Sequence, residues 1–398
     1  MRAIAVLQKL LRRSIPSMHL KRLNALAEVV GAALQGGRLT LSSLGRSLRS
    51  ACDMRHRIKR VDRLLCNGKL HDERLLIYRL LCNQLIGHQT EPVILVDWSD
   101  LRSDRSLQLL RAAVWVHGFA LPIYEEVHPL RRQHARPVHR DFLRTLRTLL
   151  PDQACPILIT DAGFRSPWFQ QVERMGWHWV GRVRNTTMVQ TSGIWRHCKQ
   201  LYRLASAVPR DLGVRAITRA NPVTARLCLY HKPAQGRHHI TRYGIPAQGS
   251  SSRKSASRER EPWLIAASSS LEGKTALDVI NLYRIRMRIE HGFRTLKSHQ
   301  FGFALEDSQS RSAQRFAVLL LINALAMFLA WIAGWAAQRT GLHQKLRSNA
   351  DHDQSNFSII TLGWMALTLL EMHLADHDVT AALQTPPPLA PPQAPGRI

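Results

Sequence analysis

The chain has 398 residues, of which 45% are hydrophobic, enough for two or three domains with real cores. Its 56 Lys and Arg against 28 Asp and Glu give a net charge of +28; such a surplus repels itself and points to a polyanionic partner, nucleic acid first and an anionic membrane surface second. Cys52, Cys66, Cys82, Cys155, Cys198 and Cys228 lie far apart with no C-x-x-C, which argues against a disulfide scaffold or a structural zinc site and for reduced thiols in a cytoplasmic protein.

Residues 1 to about 85 read as short amphipathic helices. LKRLNALAEVVGAALQ ends at Gly36–Gly37, Thr40 or Ser42 can cap the next helix, and MRHRIKRVDRLLCNGKL is dense in cations. Short helices, a Gly-containing turn and a basic helix suggest a helix-turn-helix-like DNA-binding unit. A solvated basic face accounts for the same texture.

From Pro92 the period changes. PVILVDWSD is a continuous apolar strand running into Asp97, and CPILITDAGF is another, ending in Asp161. Such runs are typical of buried strands, whose ends carry the sites of α/β folds. LLRAAVWVHGFALPIYEEV predicts strands around a Gly turn, FLRTLRTLL a helix, and GWHWVGRVR one more strand. His128, His134 and His139 invite a metal reading, but their Arg-rich surroundings, RRQHARPVHR, favour a basic loop. Residues 185–270 carry short β-like pieces and a basic loop, with seven Lys or Arg and one Glu between His231 and Arg260.

A long helix is expected from about Thr275 to Lys297. At about 100° per residue, Tyr283, Arg286, Glu290 and Lys297 share an arc about 60° wide, and Arg294 joins it. One carboxylate among cations and a phenol suits a metal held against a phosphate backbone; a solvated ladder of i, i+4 ion pairs has the same spacing. Phe316–Ala337 follows, without a charge, and is long enough for a bilayer span or for the buried centre of a large domain. The tail, PPPLAPPQAPGRI, reads as extended.

Phosphodiester cleavage benefits from two divalent cations about 3.5–4 Å apart, and Mg²⁺ asks for only a few carboxylates. Asp97, Asp161 and Glu290 fit that need. Asp100 and Asp104 compete with Asp97, which is preferred because the apolar strand runs directly into it.

These residues carry a resemblance. Asp97 in VDWSD, Asp161 in TDAGF and the helix signature Y-x2-R-x3-E-x6-K, with HLKRLNAL, IKRVDRLL, EPWLIA and RIEHGFRTLKS, resemble the DDE transposases of the insertion-sequence-four family, and within it the insertion-sequence-ten group. The resemblance implies an α/β fold with a ribonuclease-H-like catalytic core (86–184 and 271–345) interrupted by a β-rich insertion (185–270). A helical N-terminal DNA-binding domain (1–85) and a C-terminal helical region with the Pro-rich tail (346–398) flank it, and the resemblance does not extend to the tail.

The activity implied is cut-and-paste transposition of a bacterial insertion sequence through a hairpin intermediate. Two Mg²⁺ ions, with Mn²⁺ as substitute, would be held by Asp97, Asp161 and Glu290. Tyr283, Arg286, Arg294 and Lys297 would grip phosphates, Trp263 would stack under a flipped base, and Met287 stands where some relatives carry a wedging Trp. The implied partners are double-stranded DNA, as terminal inverted repeats and target, and a second protomer in a synaptic homodimer. The apolar helix then belongs to the core, with no membrane involved, and the protein to the nucleoid-associated cytoplasm. The rival readings are a catalytically inactive DNA-binding regulator derived from a transposase, and a host nuclease of the same core fold.

Overall fold

The computed structural model describes residues 2–184, 186–232, 245, 249–250, 261–299, 302–346, 358–369 and 374–385. The Pro-rich tail and most of the basic segment 231–260 lie outside the described residues. In chain order the elements begin with α1 (Arg2–Ser14), α2 (Leu20–Leu34), α3 (Leu41–Ser47), α4 (Met54–Leu65) and α5 (Gly68–Ile86). Next come β1 (Val93–Asp100), β2 (Leu107–Val116), β3 (Phe119–Pro129), α6 (Arg136–Leu149), β4 (Ile157–Thr160), α7 (Ser166–Arg174) and β5 (His178–Val183). β6 (Met188–Thr191), β7 (Ile194–His197), β8 (Arg210–Ile217), β9 (Val223–Tyr230) and β10 (Trp263–Ala267) follow. The last helices are α8 (Ala276–Ile285), α9 (Met287–Lys297), α10 (Ala313–Arg339), α11 (Ile359–Thr368) and α12 (Asp376–Gln384). The fold is therefore mixed α/β, with twelve α-helices among the described residues. The chain divides into two compact units, one built from Met1–Ala154 and Met287–Pro391, the other from Cys155–Arg286.

The first unit is organised around α10. Its apolar stretch is long enough to cross a membrane, yet that stretch is wholly buried. A helix apolar on every side needs neighbours on every side, and α10 finds them in α2, α5, α11, α12 and β3. The crossing with α11 is made by glycines: a Cβ on Gly334 would overlap the Ile359 carbonyl, and one on Gly363 the Ala330 carbonyl. The Trp364 indole Nε1–H then donates to the Leu34 carbonyl at 2.9 Å, tying α11 to α2.

In the N-terminal part, Thr40 Oγ1 accepts from Ser43 N–H at 3.2 Å and starts α3. α3 and α4 cross so closely that a Cβ on Gly45 would lie 2.6 Å from Ile58 Cγ1. Arg55, Lys59 and Arg63, spaced at i, i+4 and i+8, are exposed along α4.

β1, β2 and β3 form an antiparallel meander. His117 and Gly118, with φ of 40° and 84°, make the two-residue turn between β2 and β3, whose positive φ values match the twist of the flanking strands. One expectation is corrected here. Asp97 does not end β1; pairing continues through Asp100↔Gln108, because a polar strand end keeps its ladder wherever a partner strand is available.

The Arg- and His-rich segment is corrected as well. Instead of a loop, it is the end of β3, a 3-10 turn (Leu130–Arg132) and the first turns of α6. Val138, Phe142, Leu146 and Leu149 give that helix an apolar face, and Pro137 occupies its first turn, where no N–H is needed. The same face buries His139, whose Nε2 accepts from Trp98 Nε1–H at 3.1 Å. Burial, and after it the nearby His134 and His128, push the His139 imidazole down to about 4, while His128 itself pairs with Glu126 at 2.6 Å.

The unfolded chain takes up the His139 proton near pH 6.5 and the folded one only near 4, so stability rises with pH across that window. Acidification from pH 7.5 to 4 is expected to remove up to about 3 kcal/mol through this group. The loss should be read in urea melts as the part of the pH dependence that His139→Gln, which keeps an acceptor for Trp98, abolishes.

The second unit starts with β4 parallel to β5, with α7 between them in the chain. Phe169 of α7 stacks on Trp179 at 4.0 Å between ring centroids. Gly181 lets the helix approach, since a Cβ there would meet Phe169 at 2.8 Å. From β5 the sheet continues antiparallel through β10, β9, β8, β6 and β7. α8, opened by a Thr275–Asp278 capping box, packs on β9, β5 and β10. The single helix expected from 275 to 297 is interrupted: Arg286 N–H bonds to the Tyr283 carbonyl at 3.0 Å, an i→i−3 contact that replaces the α-helical i→i−4 bond.

Candidate functional site

Within the first unit, Asp97 lies in a charged row across the meander. It is the cross-strand neighbour of Arg111 on β2, which is the neighbour of Glu125 on β3. Directly opposed residues share a sheet face. The three are 9%, 1% and 0% exposed. Asp97 Oδ1 accepts from Trp98 N–H at 2.8 Å. Arg111 reaches Glu125 Oε1 through Nε at 2.8 Å and Nη2 at 2.7 Å, and Tyr78 Oη donates to Glu125 Oε2 at 3.2 Å. Burial pushes the Glu125 carboxyl up, opposed by the Arg111 guanidinium beside it.

Arg111 also fixes the helix that carries Glu290. Its guanidinium lies 4.9 Å from the centre of the Phe293 ring, and its Nη1 would be 3.5 Å from a Cβ at Gly292. α9 thus packs on the face shared by Asp97 and Arg111, and it touches β1 and β3. Glu290 stands in the first turn of α9, where a carboxylate complements the helix dipole. Exposed Arg294 and half-buried Lys297 follow at i+4 and i+7, and Lys297 Nζ is 3.8 Å from Glu306 Oε1.

Arg111 and Glu125 are not among the residues expected from the sequence. The signal was present: a lone Arg inside LLRAAV and an acid inside PIYEEV, in strands otherwise apolar, must be paired to be buried. The alternatives to Asp97 are occupied at the end of β1 and in the β1–β2 connection. Asp100 accepts from Gln108 Nε2 at 2.8 Å and lies 3.6 Å from Arg105. Asp104 accepts from both Ser106 N–H and Ser106 Oγ–H, which holds its carboxyl below the usual range.

The second unit carries the remaining candidates. Asp161 directly follows β4, and its Oδ1 accepts from Gly163 N–H at 2.8 Å. Half-buried Trp263 begins β10, edge-on to buried Tyr283 with ring centroids 5.2 Å apart and to Tyr230 at 6.2 Å. Arg286 lies 6.0 Å from the Tyr283 ring centre. Beside Trp263 in the chain, Glu261 pairs with Arg184 at 2.8 Å and Arg182 at 3.5 Å, and burial lowers the Arg182 guanidinium. These two arginines were also missed, although the i, i+2 spacing in GRVR puts both on one side of a strand.

The four residues once placed on one helix face therefore divide: Tyr283 belongs to α8, with Arg286 at its end, and Glu290 and Lys297 belong to α9. Asp97 and Glu290 belong to the first unit and Asp161 to the second. Among the described residues, no three His, Cys, Asp or Glu side chains form a ready-made metal group.

The sequence profile of the family described as "Transposase DDE domain" matches residues 88–329, more than half of the chain. No curated protein matches. Among solved structures the chain is similar to a piggyBac transposase synaptic complex with hairpin DNA, at 11% identity, over 97% of this chain and 80% of that one, with a TM-score of 0.42.

Proposed function

The chain belongs to the transposase DDE domain family, and from that premise we propose that it is a DNA transposase of the insertion-sequence-four type that cuts and joins transposon ends by metal-dependent phosphoryl transfer. The observation that carries the reading is Asp97, a carboxylate buried in a strand on the same sheet face as the helix bearing Glu290. Two carboxylates on packed elements fit a hard divalent cation, which keeps waters and accepts phosphate oxygens as its other ligands. Asp97, Asp161 and Glu290 are the proposed ligands. Bound there, the ions would lower the pKa of a nucleophilic water or 3′-hydroxyl and neutralise charge on the leaving oxygen.

The chain's own groups do the rest. Arg286, Arg294 and Lys297, with the Tyr283 phenol, hold backbone phosphates and fix register without reading sequence. Arg111, the cross-strand neighbour of Asp97, packs against Phe293 of α9 and so joins the elements that bear Asp97 and Glu290. Trp263, half-buried with its ring braced by Tyr230 and Tyr283, offers a stacking platform for a base turned out of the duplex. Stacking of that kind is worth about 1–3 kcal/mol, which offsets part of the unstacking required to form a hairpin. The proposed partners are the inverted-repeat ends, the target duplex and a second protomer.

The test uses a duplex carrying the inverted repeats that flank the reading frame. With Mg²⁺, purified protein is expected to nick the end, form a hairpin and join the end to a plasmid. Tight binding without any nick would refute the catalytic reading, and nicks without joining would favour a nuclease. Trp263→Ala is expected to nick at the wild-type rate while hairpin yield drops about tenfold, the value of about 1.4 kcal/mol of lost stacking. An unchanged hairpin yield on a sequencing gel would remove Trp263 from that role.

A further inference from the structure

α6 presents a second charged surface. Arg136, Arg140, Arg144 and Arg147 are exposed, and by helix geometry they share an arc about 80° wide along about 16 Å. Exposed Arg131 and Arg132 extend it through the preceding turn. The one acid of this segment is Asp141, 3.1 Å from Arg140 and 3.9 Å from Arg144. Such a face works against its own helix. Like charges at i, i+4 repel, α6 has no acid in its first turn, and cations there oppose the dipole. An external polyanion would reverse the sign of each of these interactions.

The inner side of α6 shows where the surface lies. His139 bonds to Trp98, and Phe142 stacks on Tyr124 at 4.8 Å. Trp98 and Tyr124 alternate along their strands with Asp97 and Glu125, so they point to the opposite sheet face. Within this unit the arginines therefore lie on the side of the β1–β3 meander opposite to Asp97 and the helix that bears Glu290. Arginines repeating about every 6 Å along a helix can meet several phosphates of a duplex that carries one charge per about 1.7 Å of axis. Contacts of this kind, to phosphates, fix position and carry no sequence information.

We propose that this α6 face is a sequence-independent binding site for DNA backbone, holding a stretch of duplex other than the one being cut. The proposal rests on the transposase reading for its role but not for its chemistry. The test compares full-length wild-type protein with Arg136→Gln/Arg140→Gln/Arg144→Gln and with the charge-keeping triple Lys variant. Binding to a random-sequence duplex is measured against salt, and Mg²⁺-dependent nicking is measured at saturating end DNA.

The Gln variant is expected to lose about 2–3 from the slope of log K against log salt, at about 0.9 per phosphate contact. The Lys variant should recover it, and both should nick at the wild-type rate. An unchanged slope in the Gln variant overturns the proposal. So does equal loss of nicking in both variants, which would make the face a structural part of the catalytic unit. If the wild type nicks nothing while the slope difference persists, the transposase reading fails and the binding site stands.

Discussion

Asp97→Ala is expected to reduce Mg²⁺-dependent nicking of an end duplex by at least about a thousandfold, while the affinity for that duplex changes by less than about threefold. Metal-assisted stabilisation of the transition state supplies several kcal/mol, and each 1.36 kcal/mol is tenfold in rate. Binding should survive because the cations proposed to hold phosphates, Arg286, Arg294 and Lys297, are untouched. The row also makes the fold tolerant of the change. Arg111 is paired on its other side with Glu125, so removing Asp97 leaves this buried cation with a counter-charge. Glu290→Ala and Asp161→Ala should behave alike. A gel-shift and a single-turnover nicking assay on the same preparations separate the two quantities; a variant that still nicks within tenfold of wild type would exclude Asp97 as a ligand.

The second large effect is on stability. Gly363→Ala or Gly334→Ala sets a methyl group against the facing backbone carbonyl, Ala330 or Ile359. Carbonyls of a helix cannot swing aside as a side-chain end can, so α10 and α11 must separate. Overpacking typically costs about 1–3 kcal/mol and more where backbone is struck, against a total stability of about 5–15 kcal/mol. The helix displaced is the one around which the first unit is built. Either variant is expected to lower Tm by about 10 °C or to accumulate as aggregate, whereas Gly68→Ala at the start of α5, with open space around its Cβ, should leave Tm unchanged or raised. Thermal melts of the three proteins check this, and an undisturbed Gly363→Ala would mean that the crossing is looser than described.

Much of this was readable in one dimension because its causes are local. An apolar run after Pro92 makes β1, the His117–Gly118 pair bounded by apolar runs makes a hairpin, and β4 stops where Asp161 begins a turn. The uncharged stretch of α10 fits burial or a bilayer equally well by composition; neighbours on all sides decide for burial. What escaped depends on partners distant in sequence. β1 extends past Asp97 because Leu109 and Gln108 pair with Ser99 and Asp100. Arg111 gains its meaning from Glu125 and from Phe293, far along the chain. His139 reads as part of a basic loop until Trp98 gives its Nε2 a donor. The interruption at Arg286 has no Gly or Pro to announce it. Periodicity alone therefore carried one helix face across what are two helices.

Asp97→Cys shows whether Asp97 ligates the metal that drives strand cleavage. A thiolate is a poor ligand for hard Mg²⁺ and a better one for softer ions such as Mn²⁺. Nicking of the end duplex by this variant should be undetectable in Mg²⁺ and recover by at least about tenfold in Mn²⁺, a switch that Asp97→Ala should not show. Equal activity of Asp97→Cys in the two metals, or equal recovery by Asp97→Ala, would contradict ligation by Asp97.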